Sequence, residues 1–213
     1  ETFEVLTGEK PNQQCFTVHR QPFTERSKFL EAATSSRWTS GTNKPVDLIE
    51  HEPEVFDSYM QCVYHGSVTV PGLPRSSRES STSLKDLFTL YLLADKLNNI
   101  ITTNLIMDKI IGFSGEILKV PCEECVKLAY TSKVVGSPLR RICRDCYVHE
   151  ASDWALEDAD EDEFHFQFLI DVLMEFKRLV SQDTLDDERT KTDCLDREKC
   201  YYHQDDDEHP KCS

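Results

Sequence analysis

Nine cysteines and seven histidines are the residues of this 213-residue chain best suited to chemistry. Two pairs, Cys122/Cys125 and Cys143/Cys146, have the C-x2-C form and are separated by 17 residues, the spacing of a four-cysteine zinc site. A second set, Cys200, His203, His209 and Cys212, reads C-x2-H-x5-H-x2-C and places four ligand-type residues within 13 positions. Cys15 and His19 lie four apart in a stretch that alternates like a strand, so they share a face, as a Cys–His nucleophilic pair would. Strand rise puts them about 13 Å apart, too far for proton transfer.

Ordinary secondary structure must position each set. The segment Pro121 to Ala129 opens with proline and follows it with acids in the first turn, and Pro138 to Val148 has Ser137 as its N-cap. Both predict helices. An i, i+3 pair places both sulfurs on one helix face, so two antiparallel helices could converge on one ion, which would make the chain a zinc-stabilised regulatory protein. The simpler expectation is four buried thiols acting as small hydrophobes. The middle of the C-terminal set is polar and mostly anionic, and no metal or other cofactor is expected there. The chain contains no G-x-S-x-G, Walker loop, dinucleotide fingerprint or H-E-x-x-H. With no catalytic, cofactor-binding or metal residue to assign, it reads as a non-enzyme.

The most apolar stretch is Ser83 to Phe113. Leu84, Leu87, Phe88, Tyr91, Ala94 and Leu97 recur at steps of three and four, and Leu90, Leu92 and Leu93 widen the stripe until the helix must be covered on most sides. Ser83 with Asp86 reads as its capping box. Asn98-Asn99 marks a break before a second helix over Thr103 to Ile111. Upstream, Thr2 to Thr7 and Gln14 to His19 read as a hairpin, and Pro22 opens a short helical pattern. Val46 to Ile49 reads as a strand, and Glu54 to His65 as a helix with Pro53 before it and Gly66 closing it. Val68 to Val70 is expected to be a strand, and Pro71 to Thr82 a flexible loop. Near the end, Phe164 to Val180 puts Phe168, Leu169, Val172, Leu173, Phe176 and Val180 on one helical face.

Charge divides the chain. From Glu1 to His149 there are 18 acidic and 17 basic residues; from Glu150 to Ser213 there are 21 acidic and 7 basic, a net −14. Such a tail repels nucleic acid and anionic membranes, so neither is an expected partner. From Ser181 large apolar residues almost vanish, which predicts a flexible acidic tail. An odd cysteine count in a chain large enough to fold without staples points to a reducing compartment, hence an intracellular location, cytoplasmic or nuclear.

Several phrases resemble the BTB/POZ domain when taken in order: Val18-His19-Arg20 ahead of Glu25-Arg26-Ser27-Lys28-Phe29, then Glu52-Pro53-Glu54-Val55-Phe56, Val63-Tyr64-His65-Gly66 and Leu90 to Leu97. The wording of Leu90 to Leu97, the Ser-rich insert before it, and Tyr130-Thr131 followed by Ser137-Pro138-Leu139-Arg140-Arg141 resemble the fungal group of BTB domain proteins. The resemblance covers residues 1 to 148. It implies an α+β fold, a small sheet with a helical cluster over 1–112, to which the residues themselves add a helical extension over 113–180 and the acidic tail over 181–213. It further implies an interaction module that self-associates as a homodimer or docks a protein partner, in some relatives a cullin-type ubiquitin ligase for which the domain is an adaptor. It makes His19 a structural histidine at a strand-to-helix junction. Phe23 stands where leucine is usual, Leu30 where a second phenylalanine is common, and the Ser-Asp start of the first strand is absent. These departures bear on the domain-swapped dimer edge and leave the fold intact.

Overall fold

Alternating apolar residues carry Thr2–Thr7 (β1) and Gln14–His19 (β2) into an antiparallel hairpin, with Thr2 opposite His19 and Thr7 opposite Gln14. Val5 and Val18 point into the core while Cys15 and His19 face out. The computed structural model describes residues 1–35, 44–68, 77–116, 120–131, 134–151, 164–183 and 201–204. Val46–Leu48 (β3) joins the far side of β1 in parallel, Val5 opposite Val46, giving the order β2-β1-β3. Parallel pairing needs a crossover, and it contains two short helices, Arg20–Thr24 (α1) and Lys28–Ala33 (α2). Ser27 caps α2, accepting from the Leu30 amide at 3.0 Å, and its hydroxyl donates to the Leu97 carbonyl at 2.5 Å. One small side chain thus ties the crossover to the middle of the fold.

Helix Pro53–His65 (α3) begins on its proline and ends at Gly66, whose φ of 65° lets its amide reach back to the Cys62 carbonyl. The central pair is Ser77–Lys96 (α4) and Ile100–Glu116 (α5). Asn98 turns the chain at φ 51°, and Asn99 then caps α5: its Oδ1 accepts from the Thr102 amide at 3.1 Å while its Nδ2 donates to the buried Tyr59 hydroxyl at 2.9 Å. Leu84, Leu87, Phe88, Tyr91, Ala94 and Leu97 are all buried, as their periodicity predicts.

Both central helices are longer than the sequence suggests. α4 begins six residues before the expected Ser83 cap, inside the stretch expected to be loop, because extending an anchored helix adds a hydrogen bond for each residue fixed. α5 starts at Ile100 and runs through residue 112 to Glu116, so the boundary expected after 112 falls inside a helix. Val68 is not in a strand, and residues 69–70 lie outside the described residues.

Helices Glu123–Thr131 (α6) and Pro138–Glu150 (α7) lie where expected, α7 capped by the Ser137 hydroxyl, and Phe166–Asp183 (α8) completes the described helices. α6 packs on α4 and α7, and α8 packs on α7 and α6. The architecture is α+β, a small three-stranded sheet with a dominant helical complement. Among the described residues, no helix is long and apolar enough to cross a membrane.

Candidate functional site

The expected apolar face of α8 is divided by the structure. At about 100° per residue, its six residues spread over an arc of about 140°, more than one neighbouring helix covers. The inner part docks. Phe168 is 1% exposed, meeting Tyr147 edge-on at 4.9 Å and Tyr130 at 5.6 Å, with Phe164 alongside. Val172 packs behind it. The seam is fixed by polar contacts: the Tyr130 hydroxyl donates to Asp171 at 2.8 Å, and the buried Glu175 accepts from Arg178 and faces Arg144 at 3.9 Å. Burial, and then the Asp171 carboxylate, push the Tyr130 phenol upward in pKa, so it stays a donor.

The outer part is open. Phe166, Leu169, Leu173, Phe176 and Val180 are 75, 40, 63, 43 and 64% exposed. They follow one another at steps of 3, 4, 3 and 4, the seam spacing of paired helices, and Met174 is exposed beside them. The line runs about 21 Å along the helix axis. Single exposed apolar residues need no explanation, but a contiguous apolar line is uncommon on a protein surface.

A second feature falls where the sequence predicts a flexible tail. Residues 201–204 are docked across α4, α5 and α7, and residues 181–183, also expected in the tail, continue α8; the rest of the tail, from residue 184 to 200 and from 205 to 213, lies outside the described residues. The Gln204 amide donates to Asn104 Oδ1 and Asn104 Nδ2 donates to the Gln204 carbonyl, both at 2.9 Å. The Gln204 side chain donates to Asp95 at 2.7 Å and to the Tyr91 hydroxyl at 3.1 Å. Tyr202 is buried, its hydroxyl donating to the fully buried Asp145 at 3.0 Å. Burial works against the Arg144 charge, but Asp145 at 2.7 Å, Glu175 and the Tyr201 hydroxyl outweigh it and hold the guanidinium above its ordinary pKa. The aromatic pair Tyr201-Tyr202 was the only signal of this docking, inside an otherwise polar segment.

The candidate ligands are distributed unevenly. Cys122 and Cys125 have sulfurs 3.4 Å apart at the start of α6, whereas Cys143 and Cys146 are buried within α7. Among the described residues, no group of three or more His, Cys, Asp or Glu is arranged to hold a metal ion. Of the C-terminal set, His203 is described and its Nε2 lies 3.1 Å from Asp108 Oδ1; Cys200, His209 and Cys212 lie outside the described residues. His19 pairs its ring with the Tyr64 hydroxyl at 3.1 Å, so the structure does not bring it to Cys15. No family model, no curated protein and no solved structure matches the chain.

Proposed function

We propose that this chain is a non-enzymatic protein–protein interaction module of the BTB/POZ type that docks a partner helix on the outer face of α8. The observation that carries the reading is the solvent-exposed 3-4-3-4 line of Phe166, Leu169, Leu173, Phe176 and Val180. The ordered resemblance of residues 1 to 148 and the small sheet with its helical cluster support the type. Charge selects the occupant. Six of the seven residues from Glu157 to Glu163, immediately before α8 in sequence, are acidic, and the chain from Glu150 onward carries a net −14. A second copy brings the same charge and is repelled, whereas a helix with an apolar stripe and basic flanks is attracted at both levels.

The test uses the full chain and a labelled synthetic helix of Leu/Lys heptads, followed by fluorescence anisotropy at low and high salt. Binding is expected, weakened by salt, and reduced at least about tenfold by Leu173→Glu with Phe176→Glu while Tm is unchanged. Equal binding by the wild type and the double variant would mean that charge alone attracts the peptide, and the reading fails. Light scattering that shows a dimer broken by the same double variant would reassign the face to self-association.

A further inference from the structure

Cysteine pairs of identical spacing occupy opposite situations in this molecule. Cys143 and Cys146 sit mid-helix in α7 and are fully buried. Cys122 stands at the N-cap of α6, its carbonyl accepting from the Val126 amide at 3.1 Å, and it is partly exposed, while Cys125 lies one turn in and is buried. Their sulfurs are in contact at 3.4 Å. The preceding residue is pinned, because the Tyr147 hydroxyl donates to the Pro121 carbonyl at 3.0 Å. The Lys85 ammonium lies beside the pair, its charge matched by Glu124 at 3.0 Å.

We propose that Cys122 and Cys125 form a redox-active dithiol that exchanges with low-molecular-weight disulfides, Cys122 attacking and Cys125 resolving. A helix N-terminus and a hydrogen bond from a neighbouring thiol stabilise a thiolate, and the thiolate is the nucleophile. The hydrogen bond from Cys125 is the main cause that brings the Cys122 thiol down to about pKa 6, helped by the Cys125 and Glu124 amides and opposed by burial and by the Glu124 carboxylate. Cys125 is pushed strongly upward, first by its bond to Cys122 and then by burial.

The roles follow from that asymmetry. The Cys122 thiolate attacks one sulfur of R–S–S–R, forming a mixed disulfide and expelling R–S⁻, which takes up the proton that Cys122 has lost to solvent. The charge that held the Cys125 proton is then gone. Cys125 gives its proton to solvent and attacks the Cys122 sulfur, forming the Cys122–Cys125 disulfide and expelling the second R–S⁻, which is protonated in turn. The protein dithiol loses two electrons and two protons, and R–S–S–R becomes two R–SH.

Glutathione disulfide is the probe, applied to the full chain in a Cys15→Ser background and followed by peptide mapping with mass spectrometry. The wild-type pair is expected to yield a disulfide joining Cys122 to Cys125, and Cys125→Ser is expected to accumulate one glutathione on Cys122. A second reading needs no variant at the site. In chain that retains Cys15, iodoacetamide labelling of Cys122 should rise through about pH 6, whereas Cys15, raised by desolvation and by Glu4, labels only under more alkaline conditions. Labelling of Cys122 that tracks Cys15, a disulfide that maps elsewhere, or one equivalent of tightly held zinc that blocks both reactions would each overturn the proposal.

Discussion

Helices α4 and α8 are close in length, 20 and 18 residues, and both carry a helical stripe of large apolar side chains. α4 has α3, α5 and α6 packed around it, so its described apolar residues are buried apart from the half-buried Leu92. α8 has neighbours on one side, α7 and α6, and its remaining apolar residues face water. Apolar content makes a helix seek cover, but the number of neighbours decides how much it receives. The same residue type is covered in one helix and left in water in the other.

That contrast is open to measurement. Phe88→Ala in α4 removes a fully buried ring and is expected to cost about 3–5 kcal/mol in urea unfolding, since the cavity adds to the lost transfer energy. A cost under about 1 kcal/mol would mean that α4 is loosely packed and the contrast with α8 false. Tyr202→Phe keeps the ring in place and deletes the bond to Asp145; with a charged acceptor the expected loss is about 1.5–3 kcal/mol in the same assay. An unchanged midpoint would show that residues 201–204 add nothing to the covered part of the molecule.

Alkaline pH should act on the covered region through its buried phenol and thiol. Burial chiefly raises Tyr59 to about 12 and Cys62 to about 11. Both groups keep their protons in the folded state at a pH where the unfolded chain has lost them. Their stabilisation is therefore complete below the unfolded pKa values, near 9 for cysteine and 10 for tyrosine, and is lost as pH rises towards the folded values. Each such group should lower stability by about 1.4 kcal/mol per pH unit inside its window, seen as a falling Tm from pH 9 to 11. A flat Tm over that range would count against the tight burial of α3. The smallest effect belongs to α8. Leu173→Ala should shift the unfolding free energy by no more than about 0.5 kcal/mol, because that side chain is already in water, and a larger loss would place it under cover.

The parts of the fold that were legible are those where local chemistry is one-sided. The hairpin alternation, Gly66 at the end of α3, Asn98-Asn99 between the central helices and Ser137 before α7 each name a backbone state in a residue or two. The start of α4 was not legible, since Ser77 to Thr82 has no strong preference and follows the helix it adjoins. The division of α8 was hidden because Phe168 and Leu169 are alike in sequence, and only the position of Tyr130 and Tyr147 decides which one is covered. Spacing and helix starts found both C-x2-C pairs and their places in α6 and α7, but not that the first pair has its sulfurs in contact with Cys122 partly exposed while the second is fully buried.

The docking of Tyr201 to Gln204 also has a consequence for the order of events in folding. Its partners Tyr91, Asp95, Asn104, Arg144 and Asp145 come from three helices, and the paired amides of Asn104 and Gln204 are separated by 100 residues of chain. That receptor exists only after α4, α5 and α7 have assembled. The segment is therefore expected to dock late, outside the folding nucleus. Interactions absent from the transition state leave the folding rate nearly untouched and slow unfolding instead. The last described residues are thus expected to act as a brake on opening, so that Tyr202→Phe speeds unfolding and leaves the folding rate nearly unchanged.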